Sequence, residues 1–334
     1  EENGLKVLEG FMALNIIDDT ETVELGPSKD GTYDGAMGGT ELMNKALYER
    51  VDNDLLDEFY IIKSRVSWTD KDKPNVLWLH DTWDDPEVQH LKEQESRDRF
   101  AKLVFVSNYQ LATYNLALGV PYQNAIVLRN AIDPIEYKEK DEDVIRIIYH
   151  TTPHRGLNLV VAAVKAIAEE MGDKIHLDVY SSFEAYGWKE RDKPYEDLFE
   201  EIRQHPNMTY HGFQPNDVVR SALQEAHIFA YPSVWPETSC ISAIEAMSAG
   251  CEVVCPNFAA LPETTGNFAR MYQFNEDMGE HANVFANHLF QAIIEHRDEN
   301  LQKKLMFQKN WVDNFFNWDL RPAEWTDMLK CIKR

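Results

Sequence analysis

Two glutamates separated by seven residues are the side chains in this sequence whose spacing most clearly suggests chemistry. Glu237 and Glu245 lie in residues 231–256, which read YPSVWPETSCISAIEAMSAGCEVVCP. Carboxylates accept hydrogen bonds from paired hydroxyl groups. If a helix starts between them, its free N–H groups and dipole would attract an anion. Such a site suits a ligand with a hydroxylated group at each end and an anion in the middle, which is the layout of a nucleotide sugar.

The residues around the two acids predict a strand, a loop, a helix and a second strand. The apolar run that ends at Tyr231 is typical of a buried strand. Thr238 and Ser239 are typical N-cap residues, and they precede a helix predicted from Ile241 to Ala249. Gly250 ends that helix before a strand that begins at Glu252. The six residue steps from Ser239 to Glu245 would rise about 9 Å in a helix. The unit is one step of a parallel sheet.

The whole string, from Pro232-Ser233 through Glu237 and Glu245-Ala-Met to Gly250, resembles the signature of retaining glycosyltransferases of family 4. The resemblance is strong over about residues 145–265 and thinner over 1–140. It implies an α/β fold called GT-B, in which two Rossmann-like parallel-sheet domains face each other across a cleft. The expected N-terminal, acceptor-side domain spans 1–140 and the expected nucleotide-sugar donor domain spans 141–310. Residues 311–334 are expected to form a C-terminal helix that crosses back to the first domain.

Two features of the first domain match the resembled family. A Gly38-Gly39 pair precedes a helix, where glycine permits close approach of an anion, although a plain helix-entry turn reads the same way. His80 ends a predicted strand, and ligands bind at the carboxyl ends of strands in open α/β sheets. The alternative for His80 is a hydrogen-bonded loop residue. The resemblance implies that the glycines face the donor diphosphate and that His80 contacts the donor sugar.

The second domain supplies the rest of the site that the resemblance implies. Arg155, just before Gly156, would reach the leaving diphosphate, and its planar fork can bind two phosphate oxygens. An earlier basic residue of the family's loop has no match, since His150 or Thr151 stands there. Glu237 would hold the sugar hydroxyls and Glu245 the ribose. The remaining implied donor contacts are the turn of Gly212 and Phe213 beside the base and the amides of Thr238, Ser239 and Cys240 beside the diphosphate.

The resemblance implies transfer with retention of anomeric configuration, in which a donor phosphate oxygen takes the acceptor's proton. No metal and no cofactor are expected, because Arg155 and the helix amides could stabilise the departing charge. The acceptor is unidentified and could be a sugar, a lipid-linked molecule or a protein. Glu263 lies in a segment that resembles a family loop near the donor.

Two other classes of function stay open. A non-catalytic nucleotide-sugar binding module would share the same donor site. Another GT-B enzyme, such as a sugar-nucleotide epimerase or a phosphorylase, is the third hypothesis, although no lysine lies in a matching pyridoxal context. A nicotinamide enzyme is disfavoured because no Gly-x-Gly-x-x-Gly follows a strand.

Composition limits the partners and the compartment. The 334 residues carry a net charge of −24, so nucleic acid and anionic lipid are disfavoured as general partners. No apolar run of membrane-spanning length and no signal peptide is found, so we expect no transmembrane segment. The four cysteines lie in or near predicted buried elements, without zinc or disulfide spacing, which favours a reducing, cytoplasmic location.

Four further expectations concern local structure. The sequence predicts a strand within Leu5 to Ile17 and a charged helix from Leu91 to Phe100. Residues 181–194 form an aromatic and charged loop without an assigned role. An apolar stripe is expected to pack on the body of the protein, and its members are Trp311, Phe315, Trp318, Trp325 and Leu329.

Overall fold

The protein is built on two parallel β-sheets. A computed structural model describes residues 38–333, so the strand predicted within Leu5 to Ile17 lies outside the described residues. The described strands of the first sheet are β1 Tyr60–Lys63, β2 Asn75–Leu79, β3 Lys102–Phe105 and β4 Ala125–Val127. They pair in the order β1-β2-β3-β4, and every pair is parallel.

The second sheet has six described strands. These are β5 Ile145–Tyr149, β6 Ile175–Val179, β7 Met208–Tyr210, β8 Ile228–Ala230, β9 Glu252–Pro256 and β10 Arg270–Tyr272. The order is β10-β9-β8-β5-β6-β7, and all neighbours are parallel. The order reverses direction between β5 and β8, and ligands bind at such a switch point in open α/β sheets.

Helices connect the strands. They are α1 Gly39–Arg50, α2 Asn53–Leu56, α3 Gln94–Arg97, α4 Asn108–Leu118, α5 Leu157–Met171, α6 Glu196–Gln204, α7 Asn216–Glu225, α8 Ile241–Ser248, α9 Leu261–Thr265, α10 Met278–Glu295, α11 Glu299–Phe315 and α12 Arg321–Ile332. Short 3₁₀ helices lie at Pro86–Lys92, Tyr122–Asn124, Pro153–Arg155, Gly172–Lys174, Phe183–Tyr186 and Lys189–Tyr195. Every residue of β2 and of β9 is buried, as expected for parallel strands covered on both faces.

The C-terminal helix returns to the first domain, as the sequence predicts. Trp318, Trp325 and Leu329 lie in the same hydrophobic cluster as Leu47 and Trp78. The rings of Trp78 and Trp325 meet edge to face, with 4.8 Å between their centroids. Burying such large aromatic side chains is strongly stabilising, so α12 holds the two parts of the chain together. Trp311, by contrast, packs against the second core at the end of α11.

The prediction of one charged helix from Leu91 to Phe100 is wrong. The chain forms the 3₁₀ helix up to Lys92 and then the single-turn helix α3, with Glu93 extended between them at φ −86° and ψ 129°. The Arg97 guanidinium donates to the carbonyls of Leu91 and Lys92, both at 2.7 Å. A side chain therefore satisfies carbonyl groups that a continuous helix would use, which permits the break.

Three of the four cysteines are buried, and the exposed Cys331 lies in α12 next to the buried Met328 and Leu329, so all four lie in or near buried elements as expected. Within residues 38–333, no helix combines the length and the apolar character needed to cross a bilayer.

Candidate active site

Helix α8 begins where the two domains meet. Its N-cap is Cys240, whose side chain makes no capping hydrogen bond, so the predicted capping by Thr238 or Ser239 is wrong. The Thr238 hydroxyl donates instead to the carbonyl oxygen of His80, at 2.7 Å, across the domain boundary. Ile241 packs against both hydrophobic cores. The N-terminus of α8 therefore faces the first domain, with its free N–H groups at the interface.

Arg155 and Glu237 form a buried ion pair at the centre of the site. Glu237 Oε1 accepts from Arg155 Nη1 and also from the hydroxyl of Tyr231, the residue that follows β8. Glu237 is 6% exposed. Its Oε2 makes no hydrogen bond with the described residues, and the Nε of Arg155 is buried without a partner. The pair is thus held in place while one atom of each side chain stays available to a ligand.

Burial and charge set the protonation of this cluster. Burial lowers the pKa of Arg155, but Glu237, Tyr186 and Tyr231 outweigh it and hold that pKa above its ordinary value. Burial, reinforced by Glu237, raises the pKa of the Tyr231 phenol well above its usual range. Tyr231 is therefore a neutral donor and Arg155 a permanent cation. Sequence reasoning did not select Tyr231, although a tyrosine at the end of a buried strand is a signal that could have found it.

A tight turn positions Arg155. Gly156 follows it at φ +114°, a conformation that favours glycine. A Cβ at Gly156 would lie 2.6 Å from the carbonyl oxygen of Pro232. The turn therefore packs directly against the loop that carries Glu237, which explains how residues far apart in sequence meet here.

Glu245 lies within α8 and has different partners. Its Oε1 accepts from Arg220 Nη1 at 3.0 Å and from Asn216 Nδ2 at 3.2 Å, while Oε2 is 3.4 Å from Asn216 Nδ2. Arg220 Nη2 also donates to the carbonyl of Asp133, at 2.6 Å. Burial raises the pKa of Glu245 and Arg220 only partly opposes it. This carboxylate ties α7 and α8 to the chain segment between the domains.

The glycine pair opens α1 at the domain interface. Gly38 is the N-cap of α1, and a Cβ added there would lie 2.6 Å from Tyr186 Cε1. A Cβ on Gly39 would lie 3.1 Å from Ile241 Cδ1. The N-termini of α1 and α8 therefore approach each other, and Tyr186 of the second domain packs on the glycine turn.

His80 follows β2 and contributes a neutral ring. Burial, with a smaller effect of Lys63, lowers its pKa to about 3. Its Nε2 is buried and has no hydrogen-bond partner in the part of the chain that the structure describes. Its backbone N–H donates to Ser64 Oγ at 2.9 Å. His80 is thus fixed by its backbone, and one ring nitrogen remains free to bind a ligand.

Unpaired buried polar atoms are frequent in the loops that follow β2, β5 and β6. Most buried polar atoms in proteins are hydrogen-bonded, so unpaired ones in strand-end loops point to a ligand. The atoms in these loops that have no partner among residues 38–333 are His80 Nε2, Asp81 Oδ2, His150 Nε2, Thr152 Oγ1, His154 Nδ1, Arg155 Nε and Ser181 Oγ.

The remaining residues predicted to contact the donor are Gly212, Phe213, Ser239 and Cys240. Gly212, at φ +66°, and Phe213 follow β7 at the edge of the sheet and lead into α7. Ser239 is half-buried. Cys240 is buried, and burial, followed by Glu237, raises its thiol pKa.

Glu263 joins the domains in a way that the sequence did not reveal. Its two carboxylate oxygens accept from the backbone N–H groups of Asn108 and Tyr109, at 3.0 and 2.9 Å, and from Asn108 Nδ2 at 2.8 Å. Arg129 Nη2 also donates to it at 3.0 Å. An acid of the second domain therefore caps α4 of the first, where it opposes the positive end of the helix dipole.

Comparison with known proteins supports the architecture. Residues 129–291 match the family model described as glycosyl transferases group 1. No curated protein matches this sequence.

Solved structures resemble the chain more widely. A pneumococcal O-GlcNAc transferase in complex with UDP and GlcNAc superimposes with a TM-score of 0.62 at 11% identity, over 78% of this chain and 53% of that one. The Anabaena protein HepE in complex with UDP and glucose gives 0.60 at 15% identity, over 78% and 72%. A glycosyltransferase from Rickettsia africae gives 0.63 at 13% identity, over 92% and 84%.

This chain thus spans about half the length of the pneumococcal protein. At such identities a structural similarity establishes the fold. The two parallel-sheet domains and these neighbours show that the chain has the GT-B fold predicted from its sequence.

Proposed function

We propose that the protein is a retaining glycosyltransferase that moves a sugar from a nucleoside-diphosphate sugar to an acceptor. The observation that carries the proposal is the buried Arg155–Glu237 pair, placed between the loops after β5 and β8 and close to the helix that faces His80. The group 1 model match and the UDP complexes of the structural neighbours support a nucleotide-sugar donor.

The electrostatics favour a departing diphosphate. When the glycosidic bond breaks, negative charge grows on the phosphate oxygens of the leaving group. The Arg155 cation, held by Glu237, has a free Nε that can donate to those oxygens. The N-termini of α1 and α8 add backbone N–H groups and positive dipole ends. These fixed donors would stabilise the charge without reorganisation during the reaction.

Polar atoms flank the diphosphate position and would hold the two ends of the donor. Glu237 Oε2 has no partner among residues 38–333 and would accept from sugar hydroxyls. His80 Nε2 would contact the sugar from the first domain. Glu245 Oε2, whose only contact with Asn216 is 3.4 Å long, would accept from the ribose. Gly212 and Phe213 would lie beside the base.

Retention and independence from metal belong to the same proposal. Arg155 and the helix amides supply positive charge that a metal ion would otherwise supply. Retention would follow if a donor phosphate oxygen removes the acceptor's proton on the same face of the sugar. Turnover that persists in EDTA and an unchanged anomeric configuration, read from the product by NMR, test these two points.

The donor is identified by a thermal-shift screen with UDP, GDP, ADP and their sugars, because a ligand that binds the folded state raises its melting temperature. Transfer is then measured with the selected donor across sugar, lipid-linked and protein acceptors. No shift with any nucleotide contradicts the proposal. Donor binding without hydrolysis or transfer would identify a non-catalytic nucleotide-sugar binding module instead.

A further inference from the structure

Residues 182–192, here called the aromatic loop, form an internally braced structure at the site. Asp192 accepts from the hydroxyl of Ser182 and from the backbone N–H of Phe183, the latter at 2.8 Å. Gly187, at φ +73°, donates its N–H to the Glu184 carbonyl at 2.9 Å. These bonds close the loop on itself, so it presents its side chains in a fixed direction.

The aromatic loop extends from the second domain onto the glycine turn of the first. Tyr186 packs on Gly38 so closely that any Cβ there would overlap the ring. The Trp188 ring packs against Tyr186, with 5.5 Å between the ring centroids. The Arg191 guanidinium carbon lies 4.3 Å from the centroid of the Trp188 ring. Tyr186 is therefore supported from behind and directed at the place where α1 begins.

The Tyr186 phenol also lies near the other half of the diphosphate site. Tyr186, after Glu237, is among the groups that hold the pKa of Arg155 above its ordinary value. Among residues 38–333 no hydrogen bond of its hydroxyl is found, and the side chain is half-buried. The phenol thus packs on the Gly38 turn and contributes to the electrostatics of Arg155, with its donor unused among these residues.

The loop after β5 has few positively charged side chains that could bind a diphosphate. It carries one arginine, and His150 stands where a second basic residue would be useful. Burial lowers the pKa of His150 to about 3, so this ring is neutral near pH 7. Arg155 is the one lysine or arginine in residues 150–156, whereas a diphosphate carries at least two negative charges. A neutral phenol is a strong hydrogen-bond donor to a phosphate oxygen.

We propose that the Tyr186 hydroxyl donates a hydrogen bond to the β-phosphate of the bound nucleoside diphosphate and stabilises it as the sugar leaves. This inference rests on the proposed function. No bond of Tyr186 forms or breaks, since the phenol keeps its proton while charge grows on the phosphate oxygen. The aromatic loop is then the part of the second domain that carries this donor across to the first.

The experiment measures the affinity of Tyr186→Phe for two nucleotides by calorimetry. The first is the nucleoside diphosphate that wild type selects among UDP, GDP and ADP, and the second is the matching monophosphate, which lacks the β-phosphate. We expect about tenfold weaker binding of the diphosphate and a change below about twofold for the monophosphate. With the donor sugar, kcat should fall about tenfold or more, because the bond strengthens as charge develops.

Tyr122→Phe is the matched control, since Tyr122 is an exposed tyrosine of the first domain at 57% exposure. It should leave both affinities and kcat unchanged. Tyr186→Ala removes the ring as well, and we expect it to weaken diphosphate binding at least as much as Tyr186→Phe.

Other outcomes overturn the inference in distinguishable ways. Tighter diphosphate binding by Tyr186→Ala would show that the ring merely blocks the site. Equal weakening for both nucleotides in Tyr186→Phe would assign the effect to a disturbed loop. An unchanged Tyr186→Phe beside an active wild type would overturn this inference alone, whereas a wild type that binds no nucleotide would overturn the proposed function with it.

Discussion

Two glutamates, Glu237 in the loop before helix α8 and Glu245 within that helix, lie in different surroundings. Glu237 and Glu245 are both buried, and each is paired with an arginine. Around Glu237, no hydrogen bond of Oε2 to the residues between 38 and 333 is found, and the Arg155 Nε is buried without a partner among them. Around Glu245, Arg220 is bonded both to the acid and to the Asp133 carbonyl.

The difference separates an acid with an oxygen left for a ligand from an acid held mainly by protein groups. Polar atoms left unpaired in a folded protein cost free energy, so the unpaired atoms around Glu237 point to a group that binds there. Glu245 is held by Arg220 and Asn216, and its Oε2 makes only a long contact. The spacing of the two acids in the sequence does not distinguish them, whereas the contacts predict that Glu237 affects the chemical step and that Glu245, which would hold the ribose, affects mainly donor binding and packing.

The largest expected effect is on turnover in Glu237→Gln. The amide keeps an oxygen for Tyr231 but loses the charge that fixes Arg155, so we expect kcat to fall about 100-fold or more. Glu245→Gln serves as the matched control, and its kcat should stay within about tenfold of wild type. Steady-state kinetics with the selected donor measure both. Equal losses in two folded variants would contradict the distinction between the two acids.

Much of the fold could be predicted because its signals are local. Buried parallel strands are continuous apolar runs, and the strand predicted to begin at Glu252 is found at Glu252–Pro256. The cap of α8 could not be predicted, since the Thr238 hydroxyl bonds to a carbonyl of the other domain. For the same reason the sequence named Arg155 and Glu237 separately but could not reveal that they bond to each other.

A smaller effect is expected on stability at Glu245. Because burial outweighs Arg220 and raises the pKa of Glu245, its ionised form is disfavoured in the folded state. Glu245→Gln mimics the protonated acid, so its free energy of unfolding at pH 7 should be within about 1 kcal/mol of wild type or higher. Glu245→Ala leaves Arg220 and Asn216 without this acceptor and should lose about 1–3 kcal/mol.

The contribution of Glu245 to the free energy of unfolding should change with pH in a defined direction. A raised folded-state pKa means that the stability contributed by Glu245 is fully present below its ordinary pKa of 4.5 and is lost as pH rises through the folded-state value. Wild type should therefore lose stability relative to Glu245→Gln as pH rises from 4.5 towards 8, measured by urea unfolding. A difference that stays constant with pH would show that Arg220 fully compensates the buried charge.

The smallest expected effect concerns a third acid, Glu263, which caps α4 across the domain boundary. Loss of an N-cap costs about 0.5–2 kcal/mol, so Glu263→Ala should lower the free energy of unfolding by about 1 kcal/mol. Because this cap joins two domains, its loss should also favour the open cleft and raise the KM for the donor about threefold.

Asp277→Ala separates these two consequences of a lost cap. Asp277 caps α10 within the second domain, where its Oδ1 accepts from the Glu280 N–H at 3.0 Å. Both variants lose one carboxylate cap and should lose similar stability by urea unfolding. Only Glu263→Ala should change the KM, since only its cap crosses between domains. An equal KM in the two variants would mean that this contact stabilises the fold without controlling closure.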